Sequence, residues 1–189
     1  MIKLPKNIDY TLYHNTSGMS TKHFGPQTWD FLFISILGRY PVKIDKNNKK
    51  HIKIAHTYYN LLTSLNTVLP CIYCRKSFTQ FLKELPIKPY LKERITLFYW
   101  LYLMKDKVNK KLILQENKLY KYKKNKLKIL YKKQKITKQK YKQKLQKLKY
   151  KIFQTIHTPS FEIILDKYEK LRANCTAKLK TCKIKNTKN

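Results

Sequence analysis

Between Pro89 and Pro159 the chain contains neither a proline nor a glycine, and its 189 residues hold only 3 Gly and 7 Pro. A β-sandwich or barrel turns about every ten residues and relies on these residues to do so, which excludes such architectures and predicts a mainly helical, all-α fold. Hydrophobic residues make up 42% of the chain, enough for one core but not for two, so a single folded domain is expected. The longest apolar run near the start, Phe31-Leu32-Phe33-Ile34, is broken by Ser35, far short of the roughly 20 residues that cross a bilayer. The opening residues also lack the apolar centre of a secretory signal. No membrane span is expected, and a reducing cytosol is the expected compartment.

Hydrophobic periodicity places the helices. Residues 1–22 are polar and aperiodic and read as an arm. Pro26 suits the first turn of a helix, where a missing N–H costs nothing, and Trp29, Leu32, Phe33 and Ile36 follow at helical spacing until Gly38. After a Lys/Asn loop over residues 41–49, Ile54, Tyr58, Leu61, Leu62 and Leu65 mark a second amphipathic face. A third helix begins at Cys71, carries Phe78, Phe81, Leu82 and Leu85, and is stopped by Pro86 and Pro89. Leu91, Ile95, Phe98, Leu101, Val108 and Leu112 predict a fourth. Phe161, Ile164, Leu165, Tyr168 and Leu171 predict a short fifth, with Ser160 as its N-cap.

The formal net charge is +33, and the stretch Lys118–Lys151 alone holds 16 lysines and no acid. Tyr141, Leu145, Leu148 and Ile152 recur at helical spacing in it, whereas like-charged neighbours such as Lys124/Lys128 and Lys138/Lys142 each cost a few tenths of a kcal/mol in a helix. A frayed helix, a helical hairpin and disorder are all compatible with this composition. Tyrosines 120, 122, 131, 141 and 150 interleave the lysines, a pattern suited to phosphate backbones and stacked bases. An AT-rich coding sequence yields the same Lys/Asn/Ile/Tyr excess, so nucleic acid ranks as a secondary partner.

Cys71-Ile72-Tyr73-Cys74 is the sharpest local signal. Two thiols three apart at a helix start can close a disulfide, and the unpaired N–H groups of the first turn stabilise a thiolate. In a cytosolic protein such a pair serves redox chemistry, forms half a zinc site, or is simply two buried cysteines. Cys175 and Cys182, the only other cysteines, have six residues between them, which is not a zinc-knuckle spacing, so no metal is expected.

His23-Phe24-Gly25-Pro26-Gln27-Thr28-Trp29-Asp30-Phe31-Leu32 resembles the G-P-x-x-W-x-x-L opening of viral FAD-linked sulfhydryl oxidases of the Erv/Alr family. Arg39-Tyr40-Pro41 looks like the family's Y-P after its first helix. Pro70-Cys71-x-x-Cys74-Arg75-x-x-Phe78 is similar to P-C-x-x-C-x-x-x-F, and Trp100-Leu101 with Val108-Asn109-Lys110-Lys111-Leu112 is similar to W-L…H-N-x-V-N-x-x-L. Pro159-Ser160-Phe161, followed by Tyr168 and Cys175, is similar to the C-terminal segment of viral members.

The resemblance implies a four-helix bundle plus a short fifth helix, with FAD held inside it, and often a homodimer. Domain boundaries follow: an arm over 1–22, an FAD-binding core over 23–114, a basic insertion, helical or disordered, over 115–157, the fifth helix over 158–174 and a basic, Cys-containing tail over 175–189. By the same resemblance Cys74 lies next to the flavin and Cys71 exchanges disulfides with incoming dithiols. Electrons then pass through FAD to molecular oxygen, which is released as hydrogen peroxide. The implied FAD contacts are Gly25, Thr28, Trp29, Lys105, Val108, Asn109 and Lys111. Helix spacing puts Lys105, Val108, Asn109 and Leu112 on one face, where a cation and an amide need partners if buried. A snorkelling Lys105 and a locally capping Asn109 would also satisfy the pattern.

Phe33, Leu69 and Lys105-Asp106 depart from the family's usual His, Tyr and His-Asn, and Tyr102 replaces a structural cysteine of cellular members. Cys175 and Cys182, in the Lys-rich tail Ala173–Asn189, match the family's distal shuttle pair in kind; a structural bridge or two inert thiols are the alternatives. The implied partner is a dithiol-containing protein substrate or a thioredoxin-like relay. The viral-type opening points to a large DNA virus, with the host cytoplasm (virus factory) and the virion as locations. The rival reading is a catalytically degenerate bundle acting as a nucleic-acid-binding or scaffold protein.

Overall fold

The computed structural model describes residues 18–176 and 181–184. Residues 1–17 of the expected arm, residues 177–180 and 185–189 of the expected tail, and the side chains of Cys175 and Cys182 lie outside the described residues. The fold is mostly helical, in the order α1 (Thr21–Arg39), α2 (Lys49–Val68), α3 (Ile72–Glu84), a 3₁₀ turn (Lys88–Tyr90), α4 (Arg94–Lys132), α5 (Lys138–Ile152) and α6 (Phe161–Glu169). A two-stranded antiparallel ribbon, β1 (Ala173–Thr176) and β2 (Thr181–Ile184), follows. The chain divides into two compact units, one made of residues through Leu101 together with those from Ile164 onward, the other of Tyr102–Ile163.

In the first unit α1 is longer at both ends than its sequence pattern predicts. It starts at Thr21, so Pro26 lies inside it rather than in its first turn. A proline there removes the N–H that would bond the Lys22 carbonyl, and the cost is limited because both residues face solvent. Gly38 does not stop the helix; Pro41 does, by forcing Tyr40 into an extended conformation (φ −65°, ψ 139°). Asn48 caps α2 by accepting hydrogen bonds from the backbone N–H groups of Lys50 and His51.

The core of this unit joins Leu32, Phe33, Ile36 and Leu37 of α1 to Tyr58, Leu62 and Leu65 of α2, Phe78 of α3 and Leu97, Phe98, Trp100 and Leu101 at the start of α4. Its polar atoms are satisfied from within. Tyr58 donates its hydroxyl to the Ser35 carbonyl at 2.8 Å, Tyr40 donates to the Leu91 carbonyl at 2.6 Å, and Trp100 donates its indole N–H to the Leu85 carbonyl at 3.0 Å. Helix α6 contributes Ile164 and Tyr168, and the Tyr168 hydroxyl donates to Asp30 of α1 at 2.6 Å.

In the second unit α4 runs unbroken past position 114 to Lys132, since no residue between 112 and 118 breaks a helix. Residues 133–137 then reverse the chain. Gln134 takes the left-handed conformation (φ 56°), the Lys135 N–H closes back on the Leu130 carbonyl at 3.0 Å, and Thr137 caps α5 by accepting from the Lys140 N–H. Helix α5 returns antiparallel to α4. Tyr131 stacks on Tyr141, Tyr120 meets Phe153, Asn109 meets Thr158 and Tyr102 meets Pro159, so positions rise along one arm as they fall along the other. Glu116 clasps the stem: one carboxylate oxygen accepts from the N–H of Gln154 (3.3 Å) and from both the N–H (3.0 Å) and hydroxyl (2.7 Å) of Thr155.

Candidate functional site

Pro70 and the proline-free run after it let α3 begin at the cysteine pair. Cys71 is the N-cap (φ −118°, ψ 121°), and its Sγ accepts the backbone N–H of Cys74 at 3.3 Å. The carbonyl of Cys71 accepts from the N–H groups of Cys74 and Arg75, both at 3.0 Å. Both cysteines are half-buried, while Ile72 and Tyr73 between them are exposed. Cys74 stands one turn before Phe78, the residue of α3 that enters the core.

The backbone leading into this pair is held from three sides. Arg75 reaches back along its own helix and donates to the Leu69 carbonyl at 2.6 Å. The Met19 N–H donates to the Pro70 carbonyl at 2.9 Å, and Gly18 forms an antiparallel bridge with Cys71. Gly18 has φ +93°, and a Cβ placed on it would lie 1.7 Å from the Pro70 carbonyl oxygen. Sequence reasoning missed Gly18, Met19 and Arg75 as parts of the site. The Ser17-Gly18 pair was a turn signal, but nothing in the sequence tells that it turns against Pro70, 52 positions on.

Gly25, Thr28 and Trp29, the implied cofactor contacts of α1, belong to the same unit as the cysteines. A Cβ on Gly25 would meet nothing within 4 Å, so the helix backbone is bare and open there. The Thr28 hydroxyl donates to the Phe24 carbonyl at 2.8 Å, and Trp29 is half-buried with its ring 6.4 Å from that of Phe33. Phe33 itself is fully buried, packed between Phe98 (4.8 Å) and Tyr168 (4.9 Å), so this departure from the family pattern has become core.

Lys105, Val108, Asn109 and Lys111 lie on the part of α4 that belongs to the second unit, all four half-buried. Asn109 donates its side-chain amide to the Thr158 hydroxyl at 3.0 Å, so the local-partner reading of this residue is met by its N–H₂ group while its carbonyl is a separate acceptor. Asp106, on the next position round the helix, is paired with Lys110 at 2.6 Å, which raises the pKa of that lysine. A bare glycine on α1, a half-buried tryptophan, and a half-buried stripe with a cation and an amide fit a flavin dinucleotide in kind: planar ring, pyrophosphate and polar edge. Among the described residues no group of three or more His, Cys, Asp or Glu is arranged to hold a metal ion. No helix among them is long and apolar enough to cross a membrane.

Residues 26–132 match the profile of the Erv1/Alr family. A crystal structure of the yeast Erv1 core is similar over 58% of this chain and 82% of that one, with 22% identity and a TM-score of 0.42. No curated protein matches the chain significantly.

Proposed function

The chain belongs to the Erv1/Alr family of FAD-linked sulfhydryl oxidases, and we propose on that footing that it makes disulfides in substrate dithiols, using Cys71 and Cys74 as its redox pair. The observation that carries this reading is the seat of the pair: a half-buried N-cap cysteine with an N–H aimed at its sulfur, on a backbone held in place by Arg75, Met19 and Gly18.

The exchange starts from the Cys71–Cys74 disulfide. A substrate thiolate attacks Sγ of Cys71, the S–S bond breaks, and Cys74 leaves as a thiolate. The second substrate thiolate then attacks the mixed disulfide at the substrate sulfur, releasing an oxidised substrate and the Cys71 thiolate. The Cys74 N–H is placed to accept charge on Cys71 both when this thiolate forms and when the pair recloses. FAD, when bound, takes two electrons from the reduced pair and passes them to oxygen, which with two protons becomes hydrogen peroxide. Gly25, Thr28, Trp29, Lys105, Val108, Asn109 and Lys111 are the residues that would hold it, with Lys105 as counter-charge to a pyrophosphate.

In this reading Cys175 and Cys182 relay electrons from the substrate to Cys71. Their backbone placement supports it, since the two positions are direct partners across the ribbon, where opposed Cβ atoms lie about 5 Å apart. The working form is a homodimer acting on a dithiol-containing protein or a thioredoxin-like relay, in a host cytoplasm or virion as its viral-type motifs suggest. Thiol-dependent oxygen uptake by a yellow purified protein, lost in Cys74→Ser, is the expected result. A colourless protein that takes up no added FAD would instead support the degenerate bundle, which the conversion of position 33 to core packing favours.

A further inference from the structure

The α4–α5 hairpin is a second functional surface, and we infer that it binds nucleic acid through the phosphate backbone. All 16 lysines of Lys118–Lys151 are exposed, and none is paired with a carboxylate among the described residues. The apolar residues of the segment account for this. Leu127, Leu130, Tyr141, Leu145 and Leu148 are half-buried and Ile152 is buried along the seam, so the lysines have only the outward faces left.

Fold and charge oppose each other here. Sixteen like charges on two adjacent helices repel, and the seam and the Glu116 clasp hold them together nevertheless. A polyanion laid on the hairpin relieves that repulsion and gains the entropy of released counterions. The charge densities match: the arms run side by side for about 22 Å, over which duplex DNA presents about 13 phosphates, against 16 lysines. Tyr150 is 84% exposed and Tyr122 57%, which offers ring faces to unpaired bases. An anionic bilayer would instead call for a continuous exposed apolar face, and the exposed apolar residues here are scattered among lysines. The inference stands on the second unit alone and does not depend on thiol chemistry.

The test is fluorescence anisotropy of the full chain with labelled single-stranded and duplex oligonucleotides of unrelated sequence, titrated with KCl. Two variants of equal net charge are compared: Lys124→Gln/Lys128→Gln/Lys142→Gln/Lys149→Gln in the hairpin, and Lys46→Gln/Lys50→Gln/Lys53→Gln/Lys88→Gln outside it, all at exposed positions. The unaltered protein is expected to bind without sequence preference and to lose about a hundredfold in affinity from ~50 to ~200 mM salt, as for about four phosphate contacts or more. The hairpin variant should bind at least about tenfold more weakly at low salt and show a slope shallower by about four, with the control within about twofold of the unaltered protein. Tyr150→Ala should weaken only the single-strand complex. Equal losses in the two lysine variants would overturn the inference, as would binding to anionic phosphatidylserine vesicles with none to either oligonucleotide. Circular dichroism of both variants checks that helix content is unchanged.

Discussion

A single atom decides whether Gly18 can be replaced. At φ +93° any L-residue is strained, and its Cβ would fall inside the Pro70 carbonyl, which moves only if the start of α3 moves with it. Gly18→Ala is expected to cost about 1–3 kcal/mol in urea unfolding and to shift the reduction potential of the Cys71–Cys74 pair, because the displaced backbone carries the Cys71 carbonyl and its N–H contacts. An unchanged potential in a destabilised protein would make Gly18 structural only. Tyr40 gives a pH signature. Burial, with a smaller contribution from Tyr58, pushes its hydroxyl from 10.0 up to about 12. Folding therefore gains from the neutral phenol at every pH below 10, and that gain is lost as pH rises from 10 towards 12. Tyr40→Phe, which lacks the bond to the Leu91 carbonyl, should be less stable at neutral pH by about 1 kcal/mol, and the gap should close with rising pH over that window.

At the scale of elements, α4 and its return stroke depend on a few contacts set against many repulsions. Glu116 is the only acid whose carboxylate ties the stem of the hairpin, through Gln154 and Thr155, among the described residues. Glu116→Ala leaves those N–H groups without their acceptor, and faster hydrogen exchange at residues 154–156, with α1 to α3 unaffected, is the expected outcome. Added salt should slow exchange throughout α5, because it screens lysine repulsion while leaving the apolar seam intact. The hairpin was among the forms the sequence left open. Its turn went unplaced because the left-handed position is filled by Gln134 and not by a glycine, at a cost of about 1–2 kcal/mol that seam packing offsets. The ribbon β1–β2 had no sequence signal either: its register pairs Cys175 with Cys182 inside a tail that composition alone described as mobile.

For the molecule as a whole, the fold of the first unit closes through Tyr168, which α6 lays against Phe33 and Phe98 while its hydroxyl reaches Asp30. Burial, then the bond to Asp30, raises the Tyr168 pKa above 10.0, so this tie also holds at neutral pH and weakens in strong alkali. Tyr168→Phe keeps the ring stack and loses the charge-assisted bond; a loss of about 1.5–3 kcal/mol is expected, read as a lower midpoint of thermal unfolding. Phe33 was legible as core from its spacing, and the cysteine pair from its C-x-x-C and the helix start beside it, since periodicity and capping are local properties of a few consecutive residues. The same holds for the helices as a set: their apolar stripes and the prolines at 41, 70, 86 and 89 bound them without any knowledge of what they pack against. Contacts between distant positions were not legible. That Gly18 lies against Pro70, that Tyr168 reaches Asp30, that Glu116 clasps Thr155 and that the lysines all end outside a common seam are matters of which surfaces meet, and a one-dimensional pattern carries each surface but not its partner.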